Sequence, residues 1–155
     1  MKKTLIAYFT RTGITKKLAE DTAKQTGADL FAIEPIKEYS SSYLVCVGQA
    51  KLENLQNARP AMKAKPQNLQ DYDTIVVMFP IWWFTCPNII LTFLEENDLS
   101  GKTIIPVCTY GSSGKGSSEK AMTKVCKNAT FKPCIEANGL KDKAVATIAA
   151  AIDEA

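Results

Sequence analysis

Three uninterrupted apolar segments constrain the fold of this chain more than any other feature. They cover residues 4–9, 74–79 and 103–108, and each is rich in Ile, Val, Leu or Phe. An apolar run without polar alternation is typical of a strand that is buried on both faces of a parallel sheet. The three segments are therefore predicted to be central strands.

Helical periodicity separates these strands. Residues 15–26 place Leu18, Ala19, Thr22 and Ala23 on one face, and Gly27 can cap the helix end. Similar patterns occupy residues 88–96, 117–126 and 141–154. Such alternation of strands and helices predicts a doubly wound α/β fold.

Two weaker strands and one irregular region complete the prediction. Residues 29–34 alternate in part, and residues 130–134 contain a proline, which fits an edge strand because proline lacks the N–H. Residues 43–55 have helical spacing, whereas residues 57–68 hold two prolines and are predicted to form a surface loop.

Composition excludes several classes of function. The 155 residues fit one domain, 1–155, and a net charge of +3 from scattered basic residues is too weak to indicate nucleic-acid binding. No histidine is present, which excludes Ser–His and Cys–His catalysis and histidine metal sites. Five cysteines without a C-x-x-C spacing favour a reduced cytoplasmic protein, and no apolar stretch is long enough to cross a membrane.

Three unusual loops follow the predicted central strands. The first loop (residues 10–15) reads TRTGIT, the second loop (residues 80–87) reads PIWWFTCP, and the third loop (residues 109–116) reads TYGSSGKG. In open parallel sheets, ligands bind outside the carboxyl ends of the strands. We therefore expect all three loops at one ligand-binding edge.

Each loop also has a purely structural interpretation. The first loop, with hydroxyls and a glycine at a helix N-terminus, is suited to one phosphate group, but it could be an ordinary capped turn. The adjacent Trp82 and Trp83 could form a wall for a planar ring, or one could pack inward while the other covers a hydrophobic seam. The glycines of the third loop could let its backbone approach a ligand, or simply make it flexible. Together the three loops suit a planar heteroaromatic ligand on a chain that ends in phosphate.

The sequence resembles the flavodoxin family, and within it the short bacterial proteins with a PIWW loop. The stretch AYFTRTGIT resembles the family's [ST]-x-T-G-x-T phosphate loop, DYDTIVVMFPIWW its third strand and loop, and GKTIIPVCTYGSSGKGSS its fourth strand and glycine–serine loop. The resemblance implies a three-layer α/β/α sandwich around a five-stranded parallel sheet of order 2-1-3-4-5. It also implies bound flavin mononucleotide (FMN).

The resemblance assigns sixteen residues to the FMN site, in three groups. The first loop would hold the phosphate, the second would run beside the ribityl chain and the flavin, and the third would close on the other side. These residues are Thr10, Arg11, Thr12, Gly13, Ile14 and Thr15; Pro80, Ile81, Trp82, Trp83 and Phe84; and Tyr110, Gly111, Ser112, Ser113 and Gly114. No catalytic side chain and no metal ligand is implied.

Two departures from the family pattern bear on function. Ile14 stands where the family commonly has asparagine or another polar residue, which removes a side-chain donor and predicts weaker phosphate binding. Electron-carrying flavodoxins are usually strongly acidic, whereas this chain has a net charge of +3.

Three functions remain open at this point, and the last of them is a site without redox chemistry, either for another aromatic phosphate or as a vestigial pocket. The first is an FMN-binding redox protein that carries one or two electrons between partner proteins or to a small-molecule acceptor. The second is an FMN-dependent NAD(P)H:quinone-type oxidoreductase with a substrate pocket shaped by the tryptophans and residues 35–70. Near-neutral charge favours the second, whereas small size and the lack of an evident nicotinamide site favour the first. Neither nucleic acid nor a membrane is an expected partner.

Overall fold

A computed structural model describes residues 3–110, 114–138 and 141–155. Its strands form one parallel sheet in the order β2-β1-β3-β4-β5, with β6 also paired to β4. The order confirms the predicted flavodoxin-like topology. The strands are β1 (Thr4–Tyr8), β2 (Asp29–Ala32), β3 (Thr74–Pro80), β4 (Thr103–Thr109), β5 (Thr130–Phe131) and β6 (Ile135–Ala137).

The fifth position of the sheet is divided between two short strands. β5 pairs with the start of β4 and β6 with its end, and residues 132–134 lie between them. Pro133 is in this gap, where its missing N–H interrupts no ladder bond. The predicted strand at 130–134 is therefore shorter than expected, and β6 was not predicted.

Helices cover both faces of the sheet. α1 and α5 pack against one face with β1, β3 and β4 side chains such as Ile6, Val76 and Ile105, and α3 and α4 cover the other. α2 contacts α3. The helices are α1 (Ile14–Thr26), α2 (Tyr43–Gln56), α3 (Asn88–Glu96), α4 (Ser118–Val125) and α5 (Lys141–Glu154).

The central strands are buried as their composition predicts. Every residue from Thr74 to Phe79 of β3 is buried, and successive side chains alternate between the two hydrophobic clusters. Helices on both faces explain why the strand sequences show no polar alternation. Among the described residues, no helix is both long and apolar enough to cross a lipid bilayer.

The predicted surface loop at residues 57–68 lies in neither a helix nor a strand of the sheet. It folds back along the chain that leaves β2, with an isolated antiparallel bridge between Pro35 and Met62. The N–H of Ile36 donates to the carbonyl of Ala61 at 2.9 Å, and the N–H of Lys63 donates to the carbonyl of Glu34 at 2.8 Å. The loop thereby reaches the carboxyl edge of the sheet.

Candidate functional site

The three loops meet at the carboxyl edge of the sheet. The hydroxyls of Thr15 and Thr109 are hydrogen-bonded at 2.9 Å, which joins the first loop to the third. The N–H of Ile81 donates to the carbonyl of Thr109 at 2.9 Å, which joins the second loop to the third. β1, β3 and β4 are neighbours in the sheet, so the loops that follow them share this edge.

The first loop turns sharply into α1 at Gly13. This residue has a φ of 97°, and its N–H donates to the hydroxyl of Thr10 at 3.0 Å. The first bond of the helix runs from the N–H of Lys17 to the carbonyl of Gly13. The N–H groups of residues 14–16 precede that bond and have no helical carbonyl to donate to, so the helix presents donors and the positive end of its dipole.

The side chains of the first loop differ in their roles. Thr15 is buried and held by Thr109, whereas Thr12 and Ile14 are exposed. The guanidinium of Arg11 donates through Nη2 to the carbonyl of Ser41 at 3.2 Å and lies over the Tyr43 ring. Its Nε is buried and has no hydrogen-bond partner within the described chain.

The second loop contains a tight turn of two aromatic residues, which we call the aromatic turn (residues 82–85). The N–H of Trp82 donates to the carbonyl of Thr85 at 2.9 Å, and the reverse bond measures 3.2 Å. Trp83 and Phe84 have φ values of 53° and 63°, the backbone of a type I′ turn. Asn-Gly is the usual sequence there, since a positive φ costs most residues about 1–2 kcal/mol.

The two tryptophans of the aromatic turn pack differently. Trp82 makes edge contacts with the rings of Phe9 and Tyr39, with centroids 5.3 and 4.9 Å away. Trp83 donates its indole N–H to the carbonyl of Val47 in α2 at 2.9 Å and remains 40% exposed. This matches the structural alternative, in which one tryptophan packs inward and the other covers a seam.

Phe84 is the most exposed aromatic side chain of the second loop. It is 66% exposed, although its backbone is tightly held. Its carbonyl accepts a hydrogen bond from the N–H of Ser117 at 2.9 Å, just beyond the third loop. An exposed aromatic ring on a strained but fixed backbone is typical of a ligand contact.

The third loop closes against the aromatic turn through its last glycine. Gly116 has a φ of 55°, and a Cβ built on it would lie 1.8 Å from the carbonyl oxygen of Phe84. The N–H of Lys115 donates to a Glu136 carboxylate oxygen at 2.7 Å. Of the predicted site residues here, Tyr110 and Gly114 are described, whereas Gly111, Ser112 and Ser113 lie outside the described residues.

Glu119 anchors the far side of the third loop. Its carboxylate pairs with the Lys115 ammonium at 2.5 Å and accepts the N–H of Cys134 at 2.8 Å. These two bonds lower the pKa of Glu119, and the same pair raises the pKa of Lys115. The sequence pattern gave no indication of this contact.

Cys86 behaves as an apolar filler, as buried free cysteines commonly do. It is 1% exposed, and burial raises its pKa to about 12. The thiol therefore stays protonated at neutral pH.

A half-buried polar pair supports Trp82 from below. The phenol of Tyr39 donates to Glu53 Oε1 at 2.5 Å, and the Asn88 side chain donates to the carbonyl of Glu53 at 3.0 Å. Burial is the main cause that raises the pKa of both Tyr39 and Glu53. Sequence reasoning missed Tyr39, which falls in the region without clear periodicity.

A second space lies on the β2 side of the first loop, and we call it the edge cavity. It has a volume of about 570 Å³, within the range of small-molecule sites. Of the predicted residues, only Thr10, Arg11 and Thr12 line it. Its other polar walls come from residues that the sequence did not single out, namely Lys16, Glu34, Glu38, Ser40, Ser41 and Lys63.

The family model for flavodoxin matches residues 3–150 of this sequence. The chain belongs to the flavodoxin family. A sequence comparison with curated proteins finds no significant match.

Solved structures agree with this assignment. A protein from Bacteroides eggerthii DSM 20697 that is classed as a flavoprotein shares 33% identity, with a TM-score of 0.87 and 99% of each chain covered. A flavoprotein from Lactobacillus acidophilus NCFM, solved in complex with FMN, shares 18% identity, with a TM-score of 0.80 and coverage of 95% of this chain and 98% of that chain. An NADH:FMN oxidoreductase in its apo form has 17% identity and a TM-score of 0.57, covering 99% of this chain and 88% of that chain. The last two likenesses concern the fold alone.

Proposed function

We propose that this flavodoxin-family chain binds FMN without a covalent bond and transfers one or two electrons through it. The observation that carries the proposal is the strained turn of Trp83 and Phe84, fixed beside an open helix N-terminus at the same edge of the sheet. Backbone strain in a non-glycine pair persists only where the surroundings enforce it, and such strain clusters at ligand sites. The FMN complex of the Lactobacillus acidophilus flavoprotein supports the same choice of ligand.

The first loop is proposed to hold the FMN phosphate. The free N–H groups at the start of α1, contributed by Ile14 and Thr15, supply donors, as do the hydroxyls of Thr10 and Thr12. The unpartnered Nε of Arg11 is a further donor with no competing acceptor in the described chain. The donor set therefore suits a phosphate, although Ile14 adds only its backbone.

The second and third loops are proposed to enclose the ring. Phe84 and the exposed part of Trp83 offer aromatic surface, and Trp82 supports them from the rim of the core. Pro80, Ile81, Tyr110 and the segment 111–114 complete the proposed enclosure. Bound FMN supplies the electron-transfer chemistry, and the protein supplies orientation and the exclusion of water.

A second candidate function is an NAD(P)H-dependent oxidoreductase that uses FMN and reduces a quinone-type acceptor. The edge cavity favours it, because residues of the region 35–70 such as Tyr39, Ser40 and Lys63 line a space of about 570 Å³ beside the first loop. The net charge of +3 also suits an anionic nucleotide better than a basic protein partner. The NADH:FMN oxidoreductase among the structural neighbours shows that the fold accommodates such an activity.

The test begins with purified protein and added FMN. We expect a flavin absorption spectrum and quenched FMN fluorescence at one FMN per chain. A protein that stays colourless and leaves the fluorescence of added FMN unchanged would overturn both candidate functions.

Turnover then separates the two candidates. NADH or NADPH is supplied with a quinone and no partner reductase, and nicotinamide oxidation is followed by absorbance. Steady turnover assigns the oxidoreductase function, whereas its absence in FMN-loaded protein leaves the electron carrier.

The five cysteines, all free thiols, support a proposed cytoplasmic location.

A further inference from the structure

Helix α2 has a continuous apolar strip on its outer side. Residues spaced three or four apart share one side of a helix. On the outer side of α2 these residues are Leu44, Val45, Gly48, Leu52 and Leu55, and we call them the α2 face. Leu44 and Leu55 are 79% and 72% exposed, and Val45 and Leu52 are each more than half exposed.

The inner side of α2 already packs against the rest of the chain. Cys46 and Ala50 are buried there, and the carbonyl of Glu53 accepts a hydrogen bond from the Asn88 side chain at 3.0 Å. The helix is therefore apolar on two opposite sides. A surface helix usually has a polar side opposite its apolar one, whereas a helix that is apolar all round is usually buried. This composition indicates that the α2 face is covered by another molecule.

Charge is nearly absent from the α2 face. The two charged residues of α2 are Lys51 and Glu53, and Glu53 accepts the Tyr39 phenol on the inner side. Lys51 borders the face, but its ammonium lies 4.8 Å from the centre of the Trp83 ring. The face thus offers little to a partner that is recognised by charge. An apolar surface of this kind is typical of the interface between copies of one chain.

Gly48 lies at the centre of the α2 face, and packing within the chain does not explain it. It has an ordinary helical conformation, and a Cβ built on it would meet no atom within 4 Å. Glycine is a weak helix former, so alanine would suit this position better in an isolated chain. A glycine does, however, let a second helix approach closely, because the distance between packed helices depends on the side chains at the contact.

The area of the α2 face is sufficient for a dimer. Its residues together expose roughly 500 Å², which is near the upper end for an apolar patch on a monomer. Two copies would bury about 1,000 Å², the area that a specific interface needs. Tyr43 and the exposed part of Trp83 flank the face, and the indole of Trp83 is fixed by its bond to the carbonyl of Val47.

We propose that the α2 face is the interface of a homodimer in which two antiparallel α2 helices cross at Gly48. Leu44 and Leu52 lie four residues before and after Gly48, so Leu44 of one copy meets Leu52 of the other across the two-fold axis. The antiparallel direction separates the two Lys51 residues by about 9 Å along the helices, whereas a parallel pair would place these like charges side by side. The inference goes beyond the proposed function and does not depend on FMN binding.

Sedimentation equilibrium of the full chain, over a range of concentrations, tests the proposal. We expect the wild type to have twice the mass of one chain. Leu44→Lys and Leu52→Glu should each weaken the dimer about a hundredfold, because each buries an unpaired charge at the centre of the interface. In the double variant the new lysine of one copy meets the new glutamate of the other, so the dimer should regain at least about tenfold in affinity. A parallel pair would place like charges together and would show no such recovery.

Two further variants separate the interface from the fold. Gly48→Leu should make the α2 helix more stable by propensity and yet weaken the dimer about tenfold by blocking the close approach. Ile36→Lys is the matched control, because Ile36 is an exposed apolar residue outside α2, and it should leave the dimer unchanged. Circular dichroism and FMN fluorescence should be the same in all the variants, since their side chains lie outside the core and the proposed FMN site.

The outcomes also separate this inference from the proposed function. A wild type that is monomeric at every concentration overturns the dimer, and so does a dimer that Leu44→Lys and Leu52→Glu do not weaken. A dimer that Gly48→Leu leaves unchanged overturns the crossing at Gly48. Sedimentation of a monomeric chain with phosphatidylcholine–phosphatidylserine vesicles would overturn the proposal by assigning the α2 face to a lipid surface. A dimer that binds no FMN supports this inference and overturns the proposed function.

Discussion

At the ends of β3 and β4 the two loops are joined by direct backbone hydrogen bonds, whereas at the ends of β1 and β2 they stand apart around a cavity of about 570 Å³. The β3–β4 half is aromatic and carries two non-glycine residues at positive φ, Trp83 and Phe84. The β1–β2 half is lined by charges, several of them without a strong partner. The β3–β4 half has a strained backbone that fixes the positions of its aromatic side chains. The β1–β2 half has polar groups that are available to a ligand.

This difference has a physical basis in the two kinds of ligand surface. A flat ring is bound by contact area, which requires fixed aromatic groups before the ligand arrives. A phosphate is bound by charge and hydrogen bonds, which long side chains can supply after small movements. We therefore expect substitutions in the β3–β4 half to change stability and flavin binding together. Substitutions in the β1–β2 half that leave the backbone hydrogen bonds of the turn intact should change ligand binding alone.

Gly116→Ala should disrupt the packing between the loops of the β3–β4 half and have the largest effect on stability. A Cβ there would lie 1.8 Å from the carbonyl oxygen of Phe84, and the residue has a φ of 55°. Overpacking added to the cost of positive φ should lower the free energy of unfolding by about 3–5 kcal/mol. Urea denaturation measures the loss, and FMN affinity should fall with it.

Gly101→Ala is the matched control for this substitution. Gly101 has a φ of 76° but no atom within 4 Å of an added Cβ. Its cost should be that of positive φ alone, about 1–2 kcal/mol. Equal losses in the two variants would contradict the idea that close backbone packing holds the loops together.

Thr10→Val sharpens the comparison at the first loop. The Thr10 hydroxyl is the acceptor for the N–H of Gly13, so its removal leaves that donor without a partner. Stability should fall by about 1–2 kcal/mol, as for the loss of a helix cap. Thr12→Val removes an exposed hydroxyl and should change stability by less than about 0.5 kcal/mol.

Flavin binding should not show the difference between Thr10→Val and Thr12→Val that is expected for stability. Both hydroxyls are proposed phosphate donors, so FMN affinity should fall in both variants, as measured by fluorescence quenching. If FMN affinity is unchanged in Thr12→Val, the first loop does not bind phosphate through that side chain.

Phe84→Gly tests the strain of the aromatic turn directly. Phe84 has a φ of 63° and is 66% exposed, so glycine relieves strain while losing little burial. We expect the free energy of unfolding to rise by about 0.5–1 kcal/mol, and FMN affinity to fall about fivefold through lost ring contact. Opposite signs for stability and binding are the mark of a ligand site.

Asn57→Gly is the control for strain without a proposed ligand. Asn57 ends α2 with a φ of 50°, and asparagine tolerates this conformation better than phenylalanine. Its stability gain should be smaller, and FMN affinity should not change. A loss of stability in Phe84→Gly would show that the ring contributes more to packing than to ligand binding.

The parallel sheet could be predicted because the apolar runs are long and unbroken, whereas its strand order was implied by the resemblance to the flavodoxin family. As a strand, residues 74–79 are apolar on both faces and therefore need a sheet that is covered on both sides. The observed β3 extends one residue further. The bounds of α3 and α5 also agree with the predicted 88–96 and 141–154. Local periodicity was sufficient for these elements, since each segment's own composition decides its burial.

Sequence analysis proposed that residues 35–70 shape a substrate pocket, but the individual side chains that line the edge cavity could not be predicted because their position depends on pairing between distant segments. Lys63 lies in a proline-containing loop without periodicity, and only its backbone bond to Glu34 brings it to the edge. The positive φ values of Trp83 and Phe84 contradict residue preference, so no propensity argument predicts them. The sixteen assigned site residues remain a prediction, although the structure places the described ones at one edge.

Tyr39 lies between the two halves of the edge. The pH dependence of the free energy of unfolding that its phenol causes is the smallest of the predicted effects. Its phenol donates to Glu53, its ring contacts Trp82, and it also lines the edge cavity. Burial and the Glu53 carboxylate raise the pKa of Tyr39 above its usual value near 10. Above that pH the unfolded chain loses the phenolic proton while the folded chain keeps it, so stability should fall as pH rises.

Urea denaturation at pH 9, 10 and 11 measures this dependence in the wild type and in Tyr39→Phe. The variant should lose less stability above pH 10, and the slopes should differ by less than the roughly 1.4 kcal/mol per pH unit of one fully linked proton. Residual solvent contact reduces the effect. Tyr72→Phe is the comparison, because a hydrogen bond to Asp29, more than burial, raises the pKa of Tyr72 to about 12. If Tyr39→Phe keeps the wild-type slope, the phenol ionises freely in the folded chain, and Tyr39 is accessible to water.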